Sequence, residues 1–231
     1  MSNAKRLLNL VAASSIALAL VSASAIAEPP QHAKDGAKQA EGKKEKKEKK
    51  DKDAKIYPGA TAPEFAIKDT EGNEHKLADL TKDGKVVVLQ WFNADCPYVV
   101  KHYKTTKTFN DLYANYKDKG VVFFGINSSK PGAGGQGQER NAKAKTDWTI
   151  PYPILLDESG TTGKAYGAQN TPFMVVIDKD GKVAYMGAID DDNDRNNLGK
   201  TNYVAKALDE VLAGKPVTTA ETKPYGCGIR Y

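Results

Sequence analysis

Apolar and polar residues fall into three regimes along this chain. From Leu7 to Leu20 the sequence is apolar with small residues mixed in, whereas from Glu28 to Lys55 almost nothing is apolar. From Ile56 onward apolar residues return in short clusters set apart by turn-forming residues. Phe65–Lys68 is long enough for a short opening strand. Val86–Asn93 (VVVLQWFN) and Val121–Asn127 (VVFFGIN) are near-continuous apolar runs rich in β-branched and aromatic residues, the pattern of strands buried on both faces. Between them, Pro97–Lys119 reads as one helix. Val99, Tyr103, Thr106, Asn110 and Tyr113 form a stripe, with Phe109, Leu112 and Tyr116 beside it, and Gly120 ends it.

A Gly-rich loop and a polar helix at Gln138–Trp148 follow, then a strand at Tyr152–Leu156 and a short helix at Thr161–Tyr166. Phe173–Asp178 and Lys182–Ile189 are joined through Lys179-Asp180-Gly181, and Asp-Gly marks a hairpin. Leu198–Ala213 is the last helix, with Tyr203, Ala207, Leu208 and Val211 at helical spacing and Gly214 as its cap. Early strand–helix–strand crossovers followed by a hairpin and a helix predict an α/β domain: a mixed central sheet flanked by helices on both faces.

Charge and composition then assign the ends. Lys5 and Arg6, the apolar run and Ala25-Ile26-Ala27 occur in the order of a signal peptide, so residues 1–27 are expected to direct export to the periplasm or the outside and to be removed before Glu28. The membrane is a partner only if that segment stays uncleaved. Residues 28–55 hold ten lysines against seven acids and cannot bury a core, so they read as a disordered linker. The net charge of +5 resides in these two segments, which leaves residues 56–231 neutral. A neutral domain has no footprint for nucleic acid. Residues 56–213 are expected to form the folded domain and 214–231 a cysteine-containing tail.

The candidate chemistry lies at Cys96. It ends a buried strand and precedes Pro97, a residue suited to the first helical position. At a helix N-cap, unpaired N–H groups and the helix dipole stabilise a thiolate, the reactive form of cysteine. Thr171-Pro172 stands just before a strand, where proline is tolerated and can be cis. The bland alternative for Cys96 is a buried small hydrophobe.

Other patterns are weaker. Gly132-Ala-Gly-Gly-Gln-Gly137 lacks the Lys and Ser/Thr of a phosphate loop and reads as a loop at a binding edge. Asp190-Asp-Asp-Asn-Asp194 lacks the Gly and Glu of a calcium loop and reads as a solvated acidic turn. His32, His75 and His102 are scattered, and helical geometry places His102 away from Cys96. The sequence calls for no metal and no cofactor.

Trp91-Phe-x-x-x-Cys96-Pro97, a helix and a later Thr171-Pro172 before a hairpin resemble the thioredoxin fold. Asp95-Cys96-Pro97-Tyr98, Gly187-Ala-Ile-Asp190-Asp191 and Gly226-Cys227-Gly-Ile-Arg230 resemble a bacterial group of exported redoxin-like proteins within its alkyl hydroperoxide reductase/thiol-specific antioxidant branch. The resemblance covers about residues 56–213. It implies Cys96 as the attacking cysteine and Pro172 as the cis-proline beside it, with Thr171, Pro97 and Tyr98 shaping the partner site. It also implies thiol or disulfide partners, either proteins or small molecules.

The chain departs from the family patterns. Val99 stands where a dithiol motif has its second cysteine, and Asn93 and Leu89 stand where a peroxiredoxin has Thr and Pro. Cys227 can reach Cys96 from the tail as a resolving thiol, a static staple or a free thiol, and the sequence leaves the three open. Thiol–disulfide exchange is the leading expectation. The alternatives are a thiol peroxidase acting on peroxides and a redox-inert binding module.

Overall fold

The computed structural model describes residues 56–231. The expected signal peptide (1–27) and the expected Lys/Glu-rich linker (28–55) lie outside these residues.

The centre is a five-stranded mixed sheet. β3 (Val86–Trp91), β4 (Val121–Asn127) and β5 (Ile154–Leu156) run parallel, and β7 (Met174–Ile177) and β8 (Val183–Gly187) are antiparallel, in the order β5-β4-β3-β7-β8. Register runs from Val86 against Val121 to Trp91 against Ile126. Every residue of β3 is buried, as its unbroken apolar run requires of a strand covered on both faces.

Side chains alternate between two cores. Val88, Phe92, Phe123 and Val176 share a core with Phe109, Leu112 and Tyr116 of α3 (Thr108–Tyr116), Ala144 of α4 (Gln138–Asp147) and Val204, Ala207 and Leu208 of α6 (Tyr203–Leu212). Val87, Leu89, Trp91, Phe124 and Val175 meet Phe65, Ile67, Leu77 and Tyr166 on the other face. That second face is closed by the antiparallel pair β1 (Ala66–Lys68) and β2 (Glu74–Lys76), by α1 (Leu77–Lys82) and by α5 (Thr161–Ala165). The parallel-then-antiparallel plan is the one expected; β2 and α1 carry too little periodicity to be seen in the sequence.

Two helices differ from expectation. The long helix after Cys96 is broken. α2 (Pro97–Val100) passes into a π-helical turn at Lys101–Thr105, and Lys107 (φ 54°) is left-handed before α3 starts. The Thr106 N–H reaches back five residues to the Lys101 carbonyl, and the Thr106 and Thr108 hydroxyls bond at 2.7 Å. The extra residue in the turn rotates the following chain, so Lys101, His102 and Tyr103 are all buried. The last helix begins at Tyr203, not Leu198. Asn202 caps it by accepting the Ala205 N–H at 2.9 Å, and Leu198 lies 56% exposed in the preceding loop.

That loop is the exposed acidic turn expected at Asp191, Asn193 and Asp194, but it is anchored at its start. Asp190 is buried, and the carbonyls of Asp192 and Asp194 accept hydrogen bonds from the buried Lys101 Nζ at 2.9 and 2.7 Å. A lysine ammonium therefore fills the turn, and its cost of burial is offset by those bonds.

Residues 214–231 follow the body of the domain. The Met186 N–H donates to the Ala220 carbonyl and the Thr222 N–H to the Met186 carbonyl. The chain then forms β9 (Cys227–Gly228) and ends with the Tyr231 hydroxyl on the Ala168 carbonyl at 2.5 Å.

Candidate functional site

Cys96 follows β3 as the N-cap of α2, in extended conformation (φ −81°, ψ 118°), with Pro97 next. Its carbonyl accepts the Val100 N–H at 2.9 Å, and its own N–H donates to the Asn93 carbonyl at 3.1 Å. The side chain is 2% exposed, and the thiol donates to the Thr171 carbonyl at 3.0 Å. Thr171 belongs to the two-residue strand β6 (Asn170–Thr171), and the Thr171–Pro172 bond is cis.

The tail approaches this same edge. β9 pairs antiparallel with β6, placing Thr171 opposite Cys227 and Asn170 opposite Gly228. The approach depends on Gly226 (φ +116°): a Cβ there would stand 2.0 Å from the Thr171 carbonyl oxygen. Cys96 and Cys227 are both reduced and line one cleft of about 290 Å³ with Asn93, Asp95, Ser129, Ala133, Gly134 and Arg230. Burial, with the Cys96 sulfur beside it, pushes the Cys227 thiol up to about 12, while Arg195 pulls in the other direction. Cys227 is thus held as a protonated thiol at neutral pH.

Tyr225, two residues before Cys227, anchors the tail. Its hydroxyl donates to buried Asp190 and meets His102 Nε2 at 2.9 Å, while His102 Nδ1 meets the Thr108 hydroxyl at 3.1 Å. Burial, and then the Lys101 ammonium, lower His102 to about 3, so the imidazole is neutral. The Tyr225 ring lies 5.8 Å from that of Tyr98, and the Arg195 guanidinium carbon sits 5.4 Å from the Tyr98 ring centroid.

The Gly-rich loop forms the opposite wall. Asn93 Nδ2 donates to the Gly134 carbonyl at 2.9 Å, and Asn127 Nδ2 to the Gly135 carbonyl at 2.7 Å. The loop is tied to the tail where the Lys130 N–H meets the Arg230 carbonyl at 2.8 Å.

The family model for Redoxin matches residues 57–202. The chain belongs to the Redoxin family. It is 31% identical over 128 residues, 55% of its length, to the thiol-disulfide oxidoreductase ResA of Geobacillus thermodenitrificans, of which it covers 67%. Two solved structures are similar. An uncharacterized conserved protein from Geobacillus kaustophilus aligns with TM-score 0.68 and 31% identity over 76% of this chain and 93% of that one. A hypothetical protein from Sinorhizobium meliloti aligns with TM-score 0.67 and 29% identity over 77% and 96%. The fold of this redoxin is thioredoxin-like.

Of the residues singled out in the sequence, Cys96, Pro97, Tyr98, Thr171, Pro172 and Cys227 converge. The backbone of Thr171, expected to face a partner, is occupied by the redoxin's own tail. Val99, in the place of a second motif cysteine, is wholly buried in the core. His102, on the π turn, bonds Thr108 and Tyr225 and is part of the tail's socket. Sequence reasoning named Asp190 and Arg230 only within longer motifs and missed Lys101, Tyr225 and Arg195. The one available signal was Tyr225, an aromatic residue beside Gly226-Cys227.

Proposed function

We propose that this redoxin is a thiol–disulfide oxidoreductase in which Cys96 and Cys227 form the redox pair. The observation that carries the reading is the pairing of β9 with β6, which sets Cys227 beside Cys96 in one cleft although Val99 removes the local second thiol. Family membership and the name of the ResA relative support the reaction class.

In this reading the Cys96 thiolate attacks a substrate disulfide and releases one substrate thiol, leaving a mixed disulfide. Cys227 then loses its proton, attacks the Cys96 sulfur and releases the second thiol. Substrates are thiols and disulfides. The work is done outside the cytoplasm, an assignment that rests on the signal-like residues 1–27.

Single-cysteine variants test the pair. Cys227→Ser is expected to accumulate a mixed disulfide on Cys96, and Cys96→Ser to lose exchange. A Cys96→Ser chain that keeps full function would leave a binding module instead. Peroxide consumption faster than disulfide exchange would make the protein a peroxidase. N-terminal sequencing of envelope protein, expected to start near Glu28, tests export.

A further inference from the structure

The chain has four arginines against many lysines, and three of the four, Arg140, Arg195 and Arg230, lie in the described residues. All three gather around Cys96. Arg140 is committed to structure: its Nε and Nη2 grip Asp95 at 2.9 and 2.8 Å, and Nη2 also meets the Ala94 carbonyl. This pairing neutralises the one carboxylate in the cleft wall. Arg230 lines the cleft together with Asn93 and Ser129. Arg195 lies over the ring of Tyr98, two residues from Cys96. Among the described residues neither Arg195 nor Arg230 has a carboxylate within ion-pair distance. Guanidinium is always charged and presents a planar fork that matches a carboxylate.

Two further facts limit what can enter. At about 290 Å³ the cleft is at the small end of small-molecule sites. The backbone edge at Thr171, where an extended polypeptide would add as a strand, is filled by Cys227 and Gly228.

We propose, building on the exchange reading, that the cleft takes a small disulfide bearing carboxylates, which Arg230 and Arg195 hold while one sulfur reaches Cys96. The Cys96 thiolate forms a bond to that sulfur and the substrate S–S bond breaks, releasing one carboxylate-bearing thiol. Cys227 then attacks Cys96 and releases the other. The substrate is reduced by two electrons, the two cysteines are oxidised to a disulfide, and their two protons leave on the two product thiols.

The test uses reduced protein and three disulfides of similar size: anionic 3,3′-dithiodipropionate, neutral 2-hydroxyethyl disulfide and cationic cystamine. Each rate of protein oxidation is divided by that of the same disulfide with dithiothreitol, which removes intrinsic reactivity. The corrected rate should favour the anion over the neutral compound by about ten-fold, the worth of one charge-assisted bond, and the cation should be slowest. Arg230→Gln and Arg195→Gln should each lower the anion-to-neutral ratio, with Arg230→Lys intermediate because it keeps the charge without the fork. Lys179→Gln, the same charge change on the distant β7–β8 hairpin, should leave the ratio alone.

A wild-type ratio near one, a ratio unmoved by both arginine variants, or faster oxidation by an acidic cysteine-peptide disulfide than by dithiodipropionate would overturn the proposal and leave the exchange reading intact. Failure of all three disulfides and of the peptide disulfide to oxidise the protein would instead remove the exchange reading itself.

Discussion

Cys96 and Cys227 share a cleft but not an environment. Cys96 caps a helix, whereas Cys227 lies on a strand in partly buried surroundings that keep its proton on. In a Cys96→Ser chain, burial still acts on Cys227, and its alkylation by iodoacetamide at pH 7 should be well below that of free cysteine. In the Cys227→Ser chain the remaining Cys96 should react faster than Cys227 does in its counterpart. Equal rates would remove the division of labour between them. Gly226 is the residue that lets the tail come this close. Gly226→Ala adds a Cβ in collision with the Thr171 carbonyl and demands a positive φ. That strain exceeds the ~0.4–1 kcal/mol that a tolerated Gly→Ala gains. The tail should lift, so Cys227 alkylation should speed up and Cys96–Cys227 disulfide formation should slow, both read by mass spectrometry.

At the scale of elements, the tail strand and the π turn work together. The π turn buries His102, and His102 with Asp190 makes the socket for the Tyr225 hydroxyl. Tyr225→Phe leaves buried groups on both sides without that partner, at a cost of about 1–3 kcal/mol in denaturant unfolding. The socket also fixes a pH dependence. His102 stays neutral down to about pH 3 in the fold but protonates near 6.5 when unfolded, so between those values the unfolded chain binds the extra proton. Stability should fall as pH drops through that window, and His102→Gln should flatten the curve of Tm against pH there. Identical curves would mean that other groups carry the acid sensitivity. The sequence showed the strands that make the sheet because apolar runs such as VVVLQWFN cannot be satisfied otherwise. It also showed Cys96 and Thr171-Pro172, because strand–Cys–Pro–helix is a local pattern. The π turn was hidden because its cause is a set of bonds among Lys101, Thr106 and Thr108 that leaves the apolar spacing helical. β9 was hidden because Cys227-Gly228, two residues long and following another glycine, carries no periodicity, and its partner strand lies far away in sequence.

Across the whole molecule, the tail is seated without a covalent bond. Thr222 on Met186, Tyr225 in its socket, the β9–β6 pairing and Tyr231 on Ala168 hold it in the reduced protein. A disulfide between Cys96 and Cys227 would close a long loop of the unfolded chain, for which chain entropy allows about 4–5 kcal/mol of added stability. Linkage makes this reciprocal: whatever the disulfide adds to the fold, the fold adds to the disulfide, making it harder to reduce. An exchanging pair must take electrons back to be re-reduced, so its bond should hold only a small part of that amount. We therefore expect oxidised and reduced protein to differ by less than about 2 kcal/mol in unfolding free energy, below the typical range for a structural disulfide. The folded pair should correspondingly equilibrate with glutathione in a redox buffer. The two measurements close one cycle, so they must agree on the same number. A gain of the full 4–5 kcal/mol, with a disulfide that resists glutathione, would make Cys227 a staple and leave Cys96 without a resolving partner.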